Sequence, residues 1–423
     1  MHITTFDILR CPFCGSRLEL VTTMFHRRTD DEVTDGVLGC QCCLFPVVDG
    51  IPVMHLQPNA NAARAHVEAG KPELALRAMV GLETDAEAER FEAAARNPSS
   101  TYREIVDALG PNFEGGYFLY RFTDPTFIVA QAVVRAVAGT VLRGRRRAVD
   151  LCGGSGHLTR SLMELSSPPP VLADLYFAKV WLGRRFTAPG CEPVCCDGNG
   201  PFPFARGSFA YAMCSDAFMY IWTKRLFVGE MWRLVDRPSG ATGAAGEEPG
   251  AVVIGHTHNQ LTWTPSHGQP LTPAGYHNLF EGVEARLFAE TGLFADVVSG
   301  GPLDLGRRDD PSVLDAAPAL TIVGTRHPQV FEQHTLEQPT AARGVYRVNP
   351  LYEASTDGGQ LRLKLRFPNA DYEDEYGACR QYLPEEISVD VAALRRLEAG
   401  GPLDELAPLI ARRVIVDLPR QYY

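Results

Sequence analysis

The chain has 423 residues, 45% of them hydrophobic and 22% charged, the balance of a globular protein with room for two or three domains. Its formal net charge of −11 argues against a general nucleic-acid surface, because phosphate binding calls for a basic face. No run of about 18 apolar residues predicts a membrane span, and the first residues lack a charged-then-apolar secretion signal, so a cytoplasmic protein is expected.

Five of the 11 cysteines lie in the first 43 residues, in the knuckles Cys11-Pro-Phe-Cys14 and Cys40-Gln-Cys42-Cys43. Four thiolates on two knuckles close a tetrahedral zinc site, which holds together modules too small for a core of their own. The spacing predicts a structural Zn2+ on Cys11, Cys14, Cys40 and Cys43, with Cys42 able to replace Cys43. The remaining cysteines are scattered in apolar segments, where buried free thiols are common and which suits a reducing compartment. Together with the segment 45–54, FPVVDGIPVM, the first knuckle resembles the small zinc-ribbon proteins that bind and activate tRNA methyltransferases. The same ribbon is found fused to bacterial methyltransferases. The resemblance implies a scaffold or activator role for this unit, taken as residues 1–57, and supplies no catalytic residue. Four Lys/Arg against seven Asp/Glu in it argue against a grip on RNA.

Residues 58–147 read mostly as helices. A Gly70-Lys71-Pro72 break within 60–79 predicts a helical hairpin, and 85–96 and 102–109 predict two more helices. An aromatic loop follows over 113–127, and Pro125 opens an apolar helix to Val141. The basic turn 143–147 reads as a solvated helix end.

The stretch 148–159, AVDLCGGSGHLT, predicts a buried strand, a turn on Gly153, Gly154 and Gly156, and then a helix. An acidic residue, Asp150, on a strand that runs straight into glycines is a nucleotide-binding arrangement, since glycines let the backbone turn tightly and approach a ligand. The spacing is neither the dinucleotide fingerprint nor a P-loop. It resembles motif I of the class I S-adenosylmethionine-dependent methyltransferases, strand-Asp-x-Gly-x-Gly-x-Gly, and departs from it at Cys152, where the first glycine is commonest. That resemblance implies an α/β fold with a Rossmann-like seven-stranded sheet over 148–330. It also implies S-adenosyl-L-methionine held by Asp150, Cys152, Gly153, Gly154 and Gly156. The next strand ends at Asp174, where the family places the acid that accepts both ribose hydroxyls; one carboxylate offers two acceptors to a vicinal diol. Leu175 follows it. The third strand ends at Asp197-Gly198, which resembles the acid that contacts the adenine amino group. On this resemblance 58–147 is a helical lid, and Tyr120 and Arg121 line the substrate pocket. The plainer alternative is that these aromatics seal a helix by packing.

A fourth strand, 208–214, leads into Ser215 and Asp216 at the carboxyl edge, where open α/β sheets bind ligands. Ser215 is placed on the cofactor side, and Asp216 and Tyr220 toward substrate. The Asn-Pro-Pro-Tyr of base- and glutamine-methylating relatives is absent. The segment 236–251 reads as a low-complexity loop. The fifth strand, 251–255, is followed at once by His256 and His258, candidates for a general base as the methyl group arrives. A metal reading of this pair lacks a carboxylate nearby in sequence. His267 and His277 come later, a helix is expected over 272–291, and strands over 294–298 and 319–324. The catalytic candidates are thus His256, His258, Asp216 and Tyr120.

Residues 331–423 predict two strands around Asp357-Gly358-Gly359, two helices over 389–398 and 403–411, and a last strand, a small α+β module of winged-helix-like order. Eleven Lys/Arg against fifteen Asp/Glu favour protein binding or dimerisation over DNA. The reading that results is a methyltransferase acting on a small-molecule metabolite or peptide intermediate. An rRNA or tRNA methyltransferase is the first alternative, and a non-catalytic cofactor-binding scaffold the second.

Overall fold

The computed structural model describes residues 1–110, 115–143, 146–236, 249–263, 268–336, 342–403 and 405–423. Phe113, His267 and residues 237–248 of the expected 236–251 loop lie outside them, as does part of the basic turn at 143–147. The chain forms two compact units, one of Met1–Ala88, Ala130–Leu293 and Leu303–His334, the other of Glu89–Val129, Phe294–Pro302 and Thr335–Tyr423. Among the described residues no helix is long and apolar enough to cross a membrane.

The first unit is built on a seven-stranded sheet. Its order is Ala285–Ala289, Ala319–Thr325, Ala251–His258, Tyr211–Ser215, Ala148–Leu151, Val171–Asp174, Glu192–Cys195. Ala319–Thr325 runs antiparallel to both neighbours, and every other pairing is parallel. This is the Rossmann-like methyltransferase sheet. The central strands are buried on both faces, as runs such as Ala148–Leu151 require. The first strand, Ala148–Leu151, pairs with the second on one side and the fourth on the other. The crevice where the strand order reverses therefore opens beside the glycine turn.

The N-terminal module is a small antiparallel sheet built on Val33–Gly39, Leu44–Val48 and Ile51–Pro52. It is joined to the large sheet. Val53 forms a parallel bridge with Cys195, and the Met54 N–H donates to the Cys195 carbonyl at 2.7 Å. Leu9 also forms an antiparallel bridge with Phe204. The Trp181 indole N–H donates to Asp49 Oδ2 at 2.7 Å. Leu38, Phe45 and Val47 of the module share one apolar core with Val149, Val171 and Val194 of the sheet. The helical hairpin appears as Pro58–Glu68 and Pro72–Val80.

Several elements differ from the sequence reading, three of them around the histidine strand. The expected helix over 272–291 is only Pro273–His277; Ala285–Ala289 is a sheet strand. The expected strand at 294–298 belongs to the helix Glu290–Ser299. Gly282, at φ +82°, marks the break that an unbroken apolar period concealed. The fifth strand runs on through both histidines as Ala251–His258, with a bulge after Ile254.

In the second unit the aromatic loop is in part helical, Gly115–Tyr120 followed by a turn at Arg121–Thr123. It packs with the C-terminal segment: the Tyr382 hydroxyl donates to the Thr123 carbonyl and the Tyr422 hydroxyl to that of Phe118, each at 2.6 Å. The C-terminal segment holds a three-stranded sheet, Tyr352–Asp357, Gln360–Leu365 and Glu386–Asp390, and a separate pair, Val345–Val348 with Ile415–Leu418. The Gly358-Gly359 hairpin has both φ values positive, +54° and +91°, as a two-residue primed turn needs. The expected helix at 389–398 begins two residues later, as Val391–Glu398, because Asp390 ends a strand and caps the helix, accepting the Ala393 N–H at 2.7 Å.

Candidate functional site

At the N-terminal knuckles the sulfurs of Cys11, Cys14, Cys40 and Cys42 lie within 4.8 Å of one another. Cys42 thus stands where the spacing put Cys43. The Cys40 N–H bonds the Cys43 carbonyl at 3.0 Å, closing a tight turn that sets the Cys42 and Cys43 sulfurs 3.4 Å apart. Hydrogen bonds from Ser16 hold the Cys14 thiol down, to about 6, favouring the thiolate a metal binds. Four such sulfurs are a donor set for zinc.

The turn after Ala148–Leu151 is shaped by contacts that admit no side chain. A Cβ on Gly153 would lie 2.6 Å from Asp150 Cγ and 2.7 Å from Leu172 Cδ1. Gly154 and Gly156 have φ of +55° and +75°. Asp150 is fully buried beneath the turn and accepts the Thr159 hydroxyl at 2.6 Å. Burial pushes its carboxyl up to about 7, with nearby Asp174 adding to the rise and Thr159 opposing it. Asp174 closes the turn from the next strand: its Oδ2 accepts the Gly154 N–H at 2.9 Å and its Oδ1 the Tyr176 N–H at 2.8 Å. Each oxygen keeps a second lone pair for a ligand hydroxyl. Leu175, beside it, is half-buried, its carbonyl facing the Cys195 thiol at 3.2 Å.

Cys152 is also in the left-handed region, at φ +56°. Its sulfur lies 3.2 Å from where a Gly198 Cβ would be, and it hydrogen-bonds the buried Cys214 thiol, a contact that with burial pushes Cys214 well up. Asp197 accepts the Asn199 N–H at 2.8 Å, and Asn199 Oδ1 in turn accepts the Trp222 N–H at 2.8 Å. That chain of bonds ties the third-strand loop to the segment after the fourth. Ser215, last in its strand, has a buried hydroxyl with no partner among the described residues.

Beyond Ser215, the ligand atoms of Asp216, His256 and His258 lie within 4.8 Å of one another. Asp216 and His256 have φ of +56° and +45°, a conformation that costs non-glycine residues energy and collects at functional sites. The two imidazoles meet edge to face at 5.4 Å. Behind them stands Glu290, buried. Its Oε2 pairs with His256 Nδ1 at 2.6 Å, and its Oε1 accepts the His256 backbone N–H and the Thr321 hydroxyl, each at 2.8 Å. Burial pushes Glu290 up, but His256 and Thr321 outweigh it and hold the carboxyl below its usual range. Burial and His256 both lower His258, which Asp216 and Glu290 only partly offset. Glu290 escapes a sequence reading because the false helix over 272–291 makes it look like a surface carboxylate.

Tyr120 lies in the second unit, edge-on to Tyr372 at 5.5 Å. Arg121 is buried there and bonded to Asp124 and Thr126, at 3.2 and 2.6 Å, which makes it part of a helix start. His277 is exposed.

No protein-family model and no curated protein matches the chain. Solved structures similar to it include a chain of the Haloferax volcanii complex containing the Trm112 methyltransferase activator, 16% identical over 56% of this chain and 98% of that one, with a TM-score of 0.35. An S-adenosylmethionine-dependent methyltransferase from Mesorhizobium loti is 15% identical over 47% of this chain and 100% of its own, with a TM-score of 0.33. A TehB-like methyltransferase from Corynebacterium glutamicum is 14% identical over 46% and 86%, with a TM-score of 0.32. The fold assignment rests on strand order and direction: this chain carries the class I methyltransferase sheet, with a four-cysteine cluster in its N-terminal module.

Proposed function

We propose that the protein is an S-adenosylmethionine-dependent methyltransferase acting on a small metabolite or peptide intermediate, with a structural zinc in its N-terminal module. The observation that carries the reading is the glycine turn at the reversal of strand order, closed by the Asp174 carboxylate at its rim. S-adenosylmethionine supplies a methyl group activated by its sulfonium. Asp174 accepts the ribose hydroxyls, Asp197 with Gly198 borders the adenine, and Gly153 lets the backbone come close to the ligand. Leu175 and Ser215 flank that pocket. Asp216, His256 and His258 handle the acceptor at the same sheet edge. In-line transfer needs alignment and exclusion of water more than strong base catalysis. The acidic charge balance supports a small acceptor over RNA.

Calorimetry with S-adenosylmethionine tests this directly. Asp174→Ala is expected to weaken binding by ~1–3 kcal/mol through lost hydrogen bonds to a charged group. Equal affinity of the two proteins refutes the assignment of Asp174. Absence of binding heat in the unaltered protein refutes the enzyme.

A further inference from the structure

We infer that Asp216, His256 and His258 form a second metal site, distinct from the four cysteines, which takes a divalent first-row transition ion. Two imidazoles and one carboxylate, supplied by two adjacent strand ends, converge within 4.8 Å. The three ligands come from opposite sides of one strand pairing, Gly255 with Ser215, so the fold itself sets their approach. The Asp216 N–H donates to the Gly255 carbonyl at 3.0 Å, which pins the carboxylate-bearing turn against the histidine strand. In a strand without the bulge His256 would keep ordinary extended geometry. Here two residues, Gly255 and His256, oppose Thr321 alone, and His256 is turned to φ +45°.

Glu290 supplies the second and independent argument. A buried carboxylate bonded to His256 Nδ1 makes that nitrogen the proton donor, so in the neutral imidazole the lone pair falls on Nε2. Glu290 is itself oriented by the Thr321 hydroxyl and the His256 backbone N–H. Carboxylate-backed histidine of this kind is the usual support of a metal-binding imidazole. Surface or core histidines do not need it. Two histidines and one carboxylate bind zinc or iron(II) and leave coordination positions open to an oxygen or nitrogen donor, whereas a closed cysteine site leaves none. As the acceptor-side group of the proposed methyltransferase, the site rests on that reading for its role but not for its binding of metal.

The test uses the full chain, stripped of metal, reloaded with one equivalent of zinc under reducing conditions, and titrated with cobalt(II) alone. A second ion is expected to bind, with weak visible bands and without the intense charge transfer of thiolate ligation. Asp216→Asn and His258→Gln should each abolish that binding, while zinc retention and unchanged circular dichroism show the variants folded. Glu290→Gln should weaken it about 10–100-fold, the mark of a positioning residue. Saturation at one metal per chain, or a second ion that survives both ligand variants, overturns the site and leaves the three side chains a hydrogen-bonded cluster. S-adenosylmethionine binding is read separately. A chain that takes the second ion but gives no cofactor heat keeps the metal site and loses the methyltransferase.

Discussion

Asp150 is an acid whose charge the fold opposes. Its carboxyl is raised by burial to about 7, above the unfolded value of about 3.9. A raised group contributes stability that is complete below its unfolded pKa and is lost as pH climbs through its folded one. The protein should therefore lose stability relative to Asp150→Asn between about pH 4 and 7, by a few kcal/mol at most at about 1.4 kcal/mol per unit. Urea midpoints at several pH values check this; parallel curves for the two proteins would show Asp150 uncharged or solvated throughout. Cys152 shows the reach of sequence at a single position. Its departure from the glycine pattern is visible in the chain, but the direction of its side chain is not. That direction depends on Gly198 and Cys214, one 46 and the other 62 residues away.

Strands and turns were readable where the signal is local. The sequence Asp-x-Cys-Gly-Gly-x-Gly announces its own turn, and Asp174 and Asp197 fall where the apolar runs of the second and third strands stop. The 272–299 region was not readable, because Ala285–Ala289 is short and flanked by helical spacing, and its pairing partner Ala319–Thr325 lies far along the chain. Losing that strand also hid Glu290, so an error in one element became an omission in the site. One helix of the first unit widens in a way no pattern predicts. Phe177–Leu182 passes into a wider turn over Gly183–Thr187 that rests on the glycine loop. A Cβ on Gly183 would lie 3.2 Å from the Ser155 carbonyl oxygen and collide with Leu172. Gly183→Ala should cost ~1–3 kcal/mol by overpacking and weaken cofactor binding with it. A denaturation midpoint equal to that of the parent would mean the loop yields freely.

In the molecule as a whole, the chain forms two compact units, and residues 1–57 fall in the same unit as the large sheet. Long-range bonds such as Trp181 to Asp49 carry no signature in either segment alone. Metal bound at the cysteines should therefore steady more than residues 1–57. Chelation is expected to speed hydrogen exchange in Glu192–Cys195 as well as in the ribbon; exchange that rises in the ribbon alone would show the two folding apart. The bridge from Val53 to Cys195 has another effect. Glu192–Cys195 is the outermost strand of the large sheet, and its free flank would present unpaired backbone groups to any passing chain. The segment leading out of the ribbon occupies part of that flank. The N-terminal module thus covers part of a margin along which copies of the protein could otherwise pair strand to strand.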